Sequence, residues 1–246
     1  MSPSTVSRAL NNRDRIGSET RRRIIEVADS MGYQPSAVAQ SLTSQKTKTF
    51  GVVAPRFNDP FNANILDGIE LAASEQDYRV LFSTSQRNRE RELLIARSYA
   101  RQRVDAVIIV ASHLRATYEL FLEALRVPLV IVGQQNETSG ATVVTVDDFA
   151  AIASAANHLL KLGHRRFAYI SVGDRLYSDQ NRREGFAKAL ADSPYETSFT
   201  VVNTTGANEL EQGPQALEQV LEAGATAAMC YNDLIAIGLL SACART

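Results

Sequence analysis

From Phe50 onward, short apolar, β-branched runs alternate with stretches of helical periodicity, and this alternation constrains the fold more than any other feature of the chain. The runs fall at 50–54, 79–83, 106–111, 129–132, 143–146, 167–171, 199–202 and 225–230. Helical patterns lie between most of them, at 61–75, 90–101, 117–125, 150–162, 181–190 and 209–222. In the first of these, Phe61, Ile65, Ile69, Ala72 and Ala73 are expected to face inward. Strands separated by helices predict an α/β body with parallel strands covered on both faces. Ligands of such sheets sit beyond the carboxyl ends of the strands. Those ends are 55–59, 83–86, 112, 133–134, 147–148, 172–174 and 231–233.

The first 48 residues read as a small helical head. Ser2 stands as an N-cap with Pro3 at the first helical position, where its missing N–H costs nothing. Val6, Ala9 and Leu10 make one apolar face, with Ser4, Ser7 and Arg8 on the opposite side. Ser18 is expected to cap a second helix that buries Ile24, Val27, Ala28 and Met31 and stops at Gly32. A third short helix begins near Pro35 and carries Val38, Ala39 and Leu42. The polar, basic segment 44–49 then reads as a linker, which divides the chain into a head, 1–48, and a body, 49–246.

Charge follows the same division. The head holds eight basic against four acidic residues, a net of +4, and the body carries −5 of the overall −1. A basic head on a mildly acidic body suits a nucleic-acid-binding module, although an imbalance this small also fits ordinary solvated surfaces.

Several function classes find no support. No stretch approaches the ~20 apolar residues of a membrane span, and residues 1–5 read as no secretory signal. Only Cys230 and Cys243 occur, which favours a reduced, cytoplasmic setting and no disulfide framework. His113 and His158 lack partners at metal-ligand spacing, and His164, just past Gly163, reads as a turn residue. There is no phosphate loop, dinucleotide fingerprint or nucleophile elbow, so neither cofactor nor catalysis is expected.

Specific motifs then place the chain beside a known family. Ser2-Pro3-Ser4-Thr5-Val6-Ser7-Arg8-Ala9-Leu10-Asn11 resembles the second helix of the helix-turn-helix in the lac-repressor (LacI/GalR) family. The likeness continues in order through Arg21-Arg22-Arg23-Ile24, Gly32-Tyr33-Gln34-Pro35, Ala39-Gln40-Ser41-Leu42 and Asn58-Asp59-Pro60-Phe61. Further on it takes in Val146-Asp147, His158 to Arg166, Arg182-Arg183-Glu184-Gly185-Phe186 and Asn232-Asp233, essentially the whole chain.

The resemblance implies a periplasmic-binding-protein-like body of two parallel-sheet subdomains, about 49–147 and 148–246, behind the head and a hinge helix. It also implies a helix before Ser2 and elements beyond Thr246, so a head and second subdomain that are only partial here are expected. Met1 stands where the family commonly has Val, as an internal GTG read as a start would give. Pro3, Ser4 and Arg8 match base-reading positions, with Thr5 and Ser7 within reach of phosphates. Leu42 matches a residue that wedges between base steps in the minor groove, with the small Ala39 beside it. On residue types alone, a solvated helix face is the simpler reading of Ser4, Ser7 and Arg8.

In the body, Arg182 matches the family's ligand-gripping arginine, and Asn232 offers donor and acceptor to a hydroxyl. Asp59 supplies an acceptor, Phe61 a stacking face, and Ser178 a hydroxyl. Equally, Asn58-Asp59-Pro60 could cap the helix at Phe61, and Asp233 could cap the last one. Gly133-Gln134-Gln135 departs from the acidic residue often found there in the family. The expectation is a homodimeric regulator, a repressor, that binds a two-fold symmetric operator under control of a small polar metabolite, a sugar or derivative. A transport-type sugar-binding protein shares the body fold, and an α/β enzyme is a further alternative. The basic head opposes the first, and the lack of a catalytic pair at the strand ends opposes the second.

Overall fold

The computed structural model describes residues 2–10, 16–33, 45–111, 126–133, 141–173, 177–206 and 208–245. The helices expected near 35–42, with Ala39 and Leu42, and at 117–125 lie outside the described residues.

The head contributes α1 (Pro3–Leu10) and α2 (Ser18–Ser30). Ser2 caps α1 as expected: its carbonyl accepts from the amides of Thr5 and Val6, and its Oγ from Thr5 N at 3.3 Å. Ser18, by contrast, does not cap α2. Gly17 occupies the N-cap with no side-chain bond, and Ser18 is the first helical residue. Nor does α2 bury its whole apolar stripe. Ala9 and Ile24 are buried where the two helices meet, but Val27 is 51% and Met31 77% exposed. An eight-residue α1 covers only part of α2.

The body then alternates strand and helix. Its first half comprises β1 (Thr49–Ala54), α3 (Pro60–Ser74), β2 (Arg79–Thr84), α4 (Arg89–Arg101), β3 (Ala106–Val110), β4 (Leu129–Val132) and β5 (Thr142–Val144). The second comprises α5 (Asp148–Lys161), β6 (Arg166–Ser171), α6 (Tyr177–Ala191), β7 (Ser198–Asn203), α7 (Glu209–Glu222), β8 (Ala227–Cys230) and α8 (Asp233–Cys243). Two all-parallel sheets result, of orders β2-β1-β3-β4-β5 and β7-β6-β8. Two strands stop or start two residues short of the apolar runs that announce them. Val146 leaves β5 because its carbonyl accepts from Asp148 N and turns the chain into α5. Ala225 precedes β8 because its amide closes the end of α7 on Val220 O.

Side chains alternate across each sheet, and both faces are covered, as parallel sheets require. In the first sheet Val53, Ile109 and Ile131 pack with Tyr99 and Ala96 of α4. Val52, Ala54 and Val110 pack on the other face with Leu66 of α3. Gly51 is needed in β1, because a Cβ there would stand 2.4 Å from the Tyr99 ring. On α3, Phe61 and Ala72 point outward rather than inward, and Asn62, Leu66 and Ala73 take the buried stripe. Pro60 begins the helix at the sheet rim, so its first turn extends past the core.

In the second sheet Phe167 and Tyr169 meet Phe186 of α6, whose ring lies 5.7–5.9 Å from theirs and that of Phe199. Ala168 and Ile170 face α7 and α8 instead. Those two helices cross closely because a Cβ on Gly213 or Gly238 would fall 2.2 Å from the other helix's backbone.

Candidate functional site

Parallel strands bring all their carboxyl ends to one edge of a sheet, and the carboxyl edges of the two sheets meet here. Arg87, three residues beyond β2, donates from a terminal guanidinium nitrogen to Oε1 of Glu209, the first residue of α7, at 2.6 Å. Glu209 is buried, and its other oxygen accepts from Asn232 Nδ2 at 2.7 Å. Asn232 also caps α8, its Oδ1 accepting from Ile235 N at 3.1 Å. One carboxylate thus ties the first lobe to the loop after β8.

Beside it lies a second cluster. Arg182, on the second turn of α6, donates from Nε to Asp148 Oδ1 at 2.9 Å and from another guanidinium nitrogen to the Tyr231 carbonyl. Its guanidinium carbon sits 4.9 Å from the centre of the Tyr231 ring. The Tyr231 hydroxyl is 3.0 Å from Ser178 Oγ, one turn earlier on α6. Burial opposes the charge on Arg182, but the Asp148 carboxylate together with Tyr231 and Tyr169 outweighs it and holds the pKa above its ordinary value.

The start of α6 is pinned from below. Asp179 is fully buried and accepts from the hydroxyls of Tyr169, at 3.0 Å, and Ser171, both on β6. Burial raises its pKa above the usual carboxylate value, and these two hydrogen bonds only partly oppose the shift. Ser178 and Arg182 flank this anchored residue, so the cluster is held on a stiff element.

Of the residues expected from sequence, Arg182, Ser178 and Asn232 come together around Tyr231 and Glu209. Asp59 and Phe61 lie at the carboxyl end of β1. There Asp59 caps α3, accepting from Phe61 N at 3.0 Å and from Asn62 Nδ2 at 3.2 Å, the helix-capping alternative. Phe61 is 60% exposed. Asn232, rather than Asp233, caps α8. In the head, Pro3, Ser4, Ser7 and Arg8 are exposed on α1, and Thr5 is half-buried. His164 is indeed a turn residue: its amide bonds Leu159 O after Gly163, and its ring bonds Thr226 Oγ1. Sequence reasoning reached the segments of Asp148 and Tyr231 as strand ends but gave neither a role. It missed Arg87 and Glu209 altogether, and the position of Glu209 after β7 was the available signal. Among the described residues no cluster of His, Cys, Asp or Glu could hold a metal ion, and no helix is long and apolar enough to cross a membrane.

Known proteins show the same organisation. Residues 47–245 match the family model for periplasmic binding proteins and the sugar binding domain of the LacI family. Residues 1–36 match that for bacterial regulatory proteins of the lacI family. The chain is 29% identical over 245 residues to catabolite control protein A of Priestia megaterium, covering 98% of this chain and 73% of that protein. To the transcriptional regulator GalS of Salmonella typhimurium it is 30% identical over 247 residues, covering 98% and 72%. Its fold resembles that of the lac repressor dimer bound to operator and the anti-inducer ONPF, with a TM-score of 0.86 at 23% identity, covering 100% of this chain and 74% of that one. It also resembles CcpA of Lactococcus lactis, with a TM-score of 0.71 at 28% identity over 80% of this chain and 72% of the other. These relatives are regulators rather than enzymes. The chain belongs to the LacI family of bacterial transcriptional regulators.

Proposed function

We propose that the chain acts as a cytoplasmic homodimeric repressor, without catalytic activity, whose hold on a two-fold symmetric operator is set by a small polar metabolite between the lobes. A head of residues 1–48 reads DNA, and a body of 49–246, divided near 147, binds the ligand. The observation that carries this reading is the pair of adjoining clusters, Arg182–Asp148–Tyr231–Ser178 and Arg87–Glu209–Asn232, at the carboxyl edges of two sheets. Forked guanidinium and amide donors, carboxylate acceptors and an aromatic face suit a sugar or similar polyhydroxylated molecule. Asp59 and Phe61 close on the ligand from the first lobe. A ligand that competes for these groups favours one separation of the lobes over another, and so biases the hinge that joins body to head.

On DNA, Arg8 forks to a guanine edge while Pro3 and Ser4 lie against neighbouring bases. Thr5 and Ser7 reach phosphates. Ala39 and Leu42 enter the minor groove from the hinge helix. The dimer forms along the edge strand β2, where Leu81 and Phe82 are nearly 40% exposed and Leu71 of the neighbouring α3 is 61% exposed. To test the ligand assignment, full-length protein is screened against sugars, sugar acids and nucleosides by thermal shift, and the hit is repeated with Arg182→Ala. A raised Tm in the parent that is lost in the variant is expected. An equal shift in both refutes the assignment.

A further inference from the structure

At the edge of the first sheet opposite the cleft, one carboxylate gathers the chain arriving from the head. Asp105, just before β3, accepts from Thr47 N through Oδ1 at 2.8 Å and from Lys48 N through Oδ2 at 3.2 Å. The Thr47 hydroxyl lies 2.9 Å from both Asp105 Oδ1 and the Arg103 carbonyl. Lys48 is fastened again at each end. Its carbonyl accepts from Arg79 N at 2.9 Å, and its ammonium donates to Gln76 O at 3.0 Å and sits 4.5 Å above the Tyr78 ring. Tyr78 in turn stacks on Phe50 at 4.3 Å. Lys48 holds a left-handed φ of 51°, a conformation a non-glycine residue keeps where its surroundings fix it.

The placement matters because β1 begins at Thr49, immediately after the clasped pair, and ends at Ala54, ahead of Asp59 on the cleft side. One six-residue strand, about 20 Å long at ~3.3 Å per residue, therefore spans the distance between clasp and cleft. Its neighbour β3 follows Asp105 directly, in parallel register with β1.

We propose that Asp105 is a positioning residue: by clamping Thr47 and Lys48 it fixes where the head leaves the body, so that movement of the first lobe is passed to the hinge instead of being absorbed by a slack linker. This rests on the regulator reading above. Burial by itself would raise the carboxyl pKa, but the hydrogen bonds from Thr47, Lys48 and Tyr78 bring it below the ordinary value, so the clasp stays charged and closed at neutral pH.

The test follows amide hydrogen exchange and DNA binding in full-length protein, using a duplex selected from a random-sequence library by the parent. In Asp105→Ala, exchange at residues 47–48 should quicken at least tenfold, with 50–54 and 106–110 unchanged and Tm retained. Affinity for the selected duplex should fall at least fivefold, whereas the thermal shift given by the sugar found in the screen should persist. Asp105→Asn, which keeps one acceptor oxygen, and Thr47→Val, which keeps both amides, should lie between. Unchanged exchange at 47–48 in Asp105→Ala overturns the clasp, and quickened exchange with unaltered duplex affinity overturns its role. If the parent selects no duplex, the DNA reading fails, and exchange alone then decides whether Asp105 holds the linker.

Discussion

Arg8 and Arg182 are the same residue in opposite circumstances. Arg8 stands exposed on a helix that shares little core with its neighbour, whereas Arg182 is half-buried, ion-paired with Asp148 and set against an aromatic ring. The contrast extends to their surroundings. Around Arg182 the second sheet packs Phe167, Tyr169 and Phe186 out of solvent, while the head buries Ala9 and Ile24 and leaves Val27, Met31 and Tyr33 more than half exposed. A small ligand needs a site shaped before it arrives, because each group left loose costs ordering free energy on binding. DNA is met differently: long side chains on an exposed helix reach out to a charged polymer.

The difference is easiest to break in the body. Phe186→Ala removes a fully buried ring and should cost about 3–5 kcal/mol in urea unfolding followed by tyrosine fluorescence. Ile24→Ala, in the head, should leave the body's midpoint where it was. A body midpoint lowered as far by Ile24→Ala as by Phe186→Ala would mean that head and body fold as one unit.

Next in size are the two arginines. Arg182→Ala should weaken the metabolite by about 1.5–3 kcal/mol, roughly tenfold to over a hundredfold by calorimetry, with operator binding kept. Arg8→Ala should do the reverse. It should cost about 1–3 kcal/mol on the operator and relax the preference at one base pair per half-site, with ligand affinity unchanged. Equal loss on every sequence would reduce Arg8 to a phosphate contact.

A smaller effect sharpens the account of the cleft floor. The Asp179 carboxyl has its pKa raised by burial in the folded state, so the folded protein binds its proton more tightly than the unfolded chain does. Its contribution is therefore fully present below the ordinary aspartate pKa and is lost as pH rises through the raised value. Asp179→Asn should flatten that part of the stability–pH curve measured by urea titration. An unchanged slope would place the titrating group elsewhere. Smallest of all, Lys188→Ala breaks an ion pair with Asp192 whose side chains are both 60% exposed, and should shift stability by less than about 0.5 kcal/mol.

Much of the body could be read from its residues, since strand and helix periodicities are local properties. All eight apolar runs became strands, displaced by two residues at most. What failed was conditional on distant neighbours. Val27 and Met31 carry a helical stripe, yet a stripe states only what could be buried, and α1 is too short to cover it. Phe61 satisfies the period of α3 but lies in the first turn, beyond the sheet. In the candidate site, Arg182 and Asn232 stood out through the resemblance. Arg87 and Glu209 did not, because they lie 122 residues apart and in the sequence each alone reads as an ordinary surface charge. Their pairing exists only once two sheets present their carboxyl edges to each other.

On the proposed function, a metabolite held between the lobes controls the grip on DNA. Fluorescence anisotropy of the selected duplex with full-length protein, with and without saturating sugar from the thermal-shift screen, measures that coupling directly. A change in duplex Kd of at least fivefold is expected, within the ~1–3 kcal/mol usual for coupled sites, and none in Arg182→Ala. An identical Kd at saturating sugar in the parent protein would contradict it.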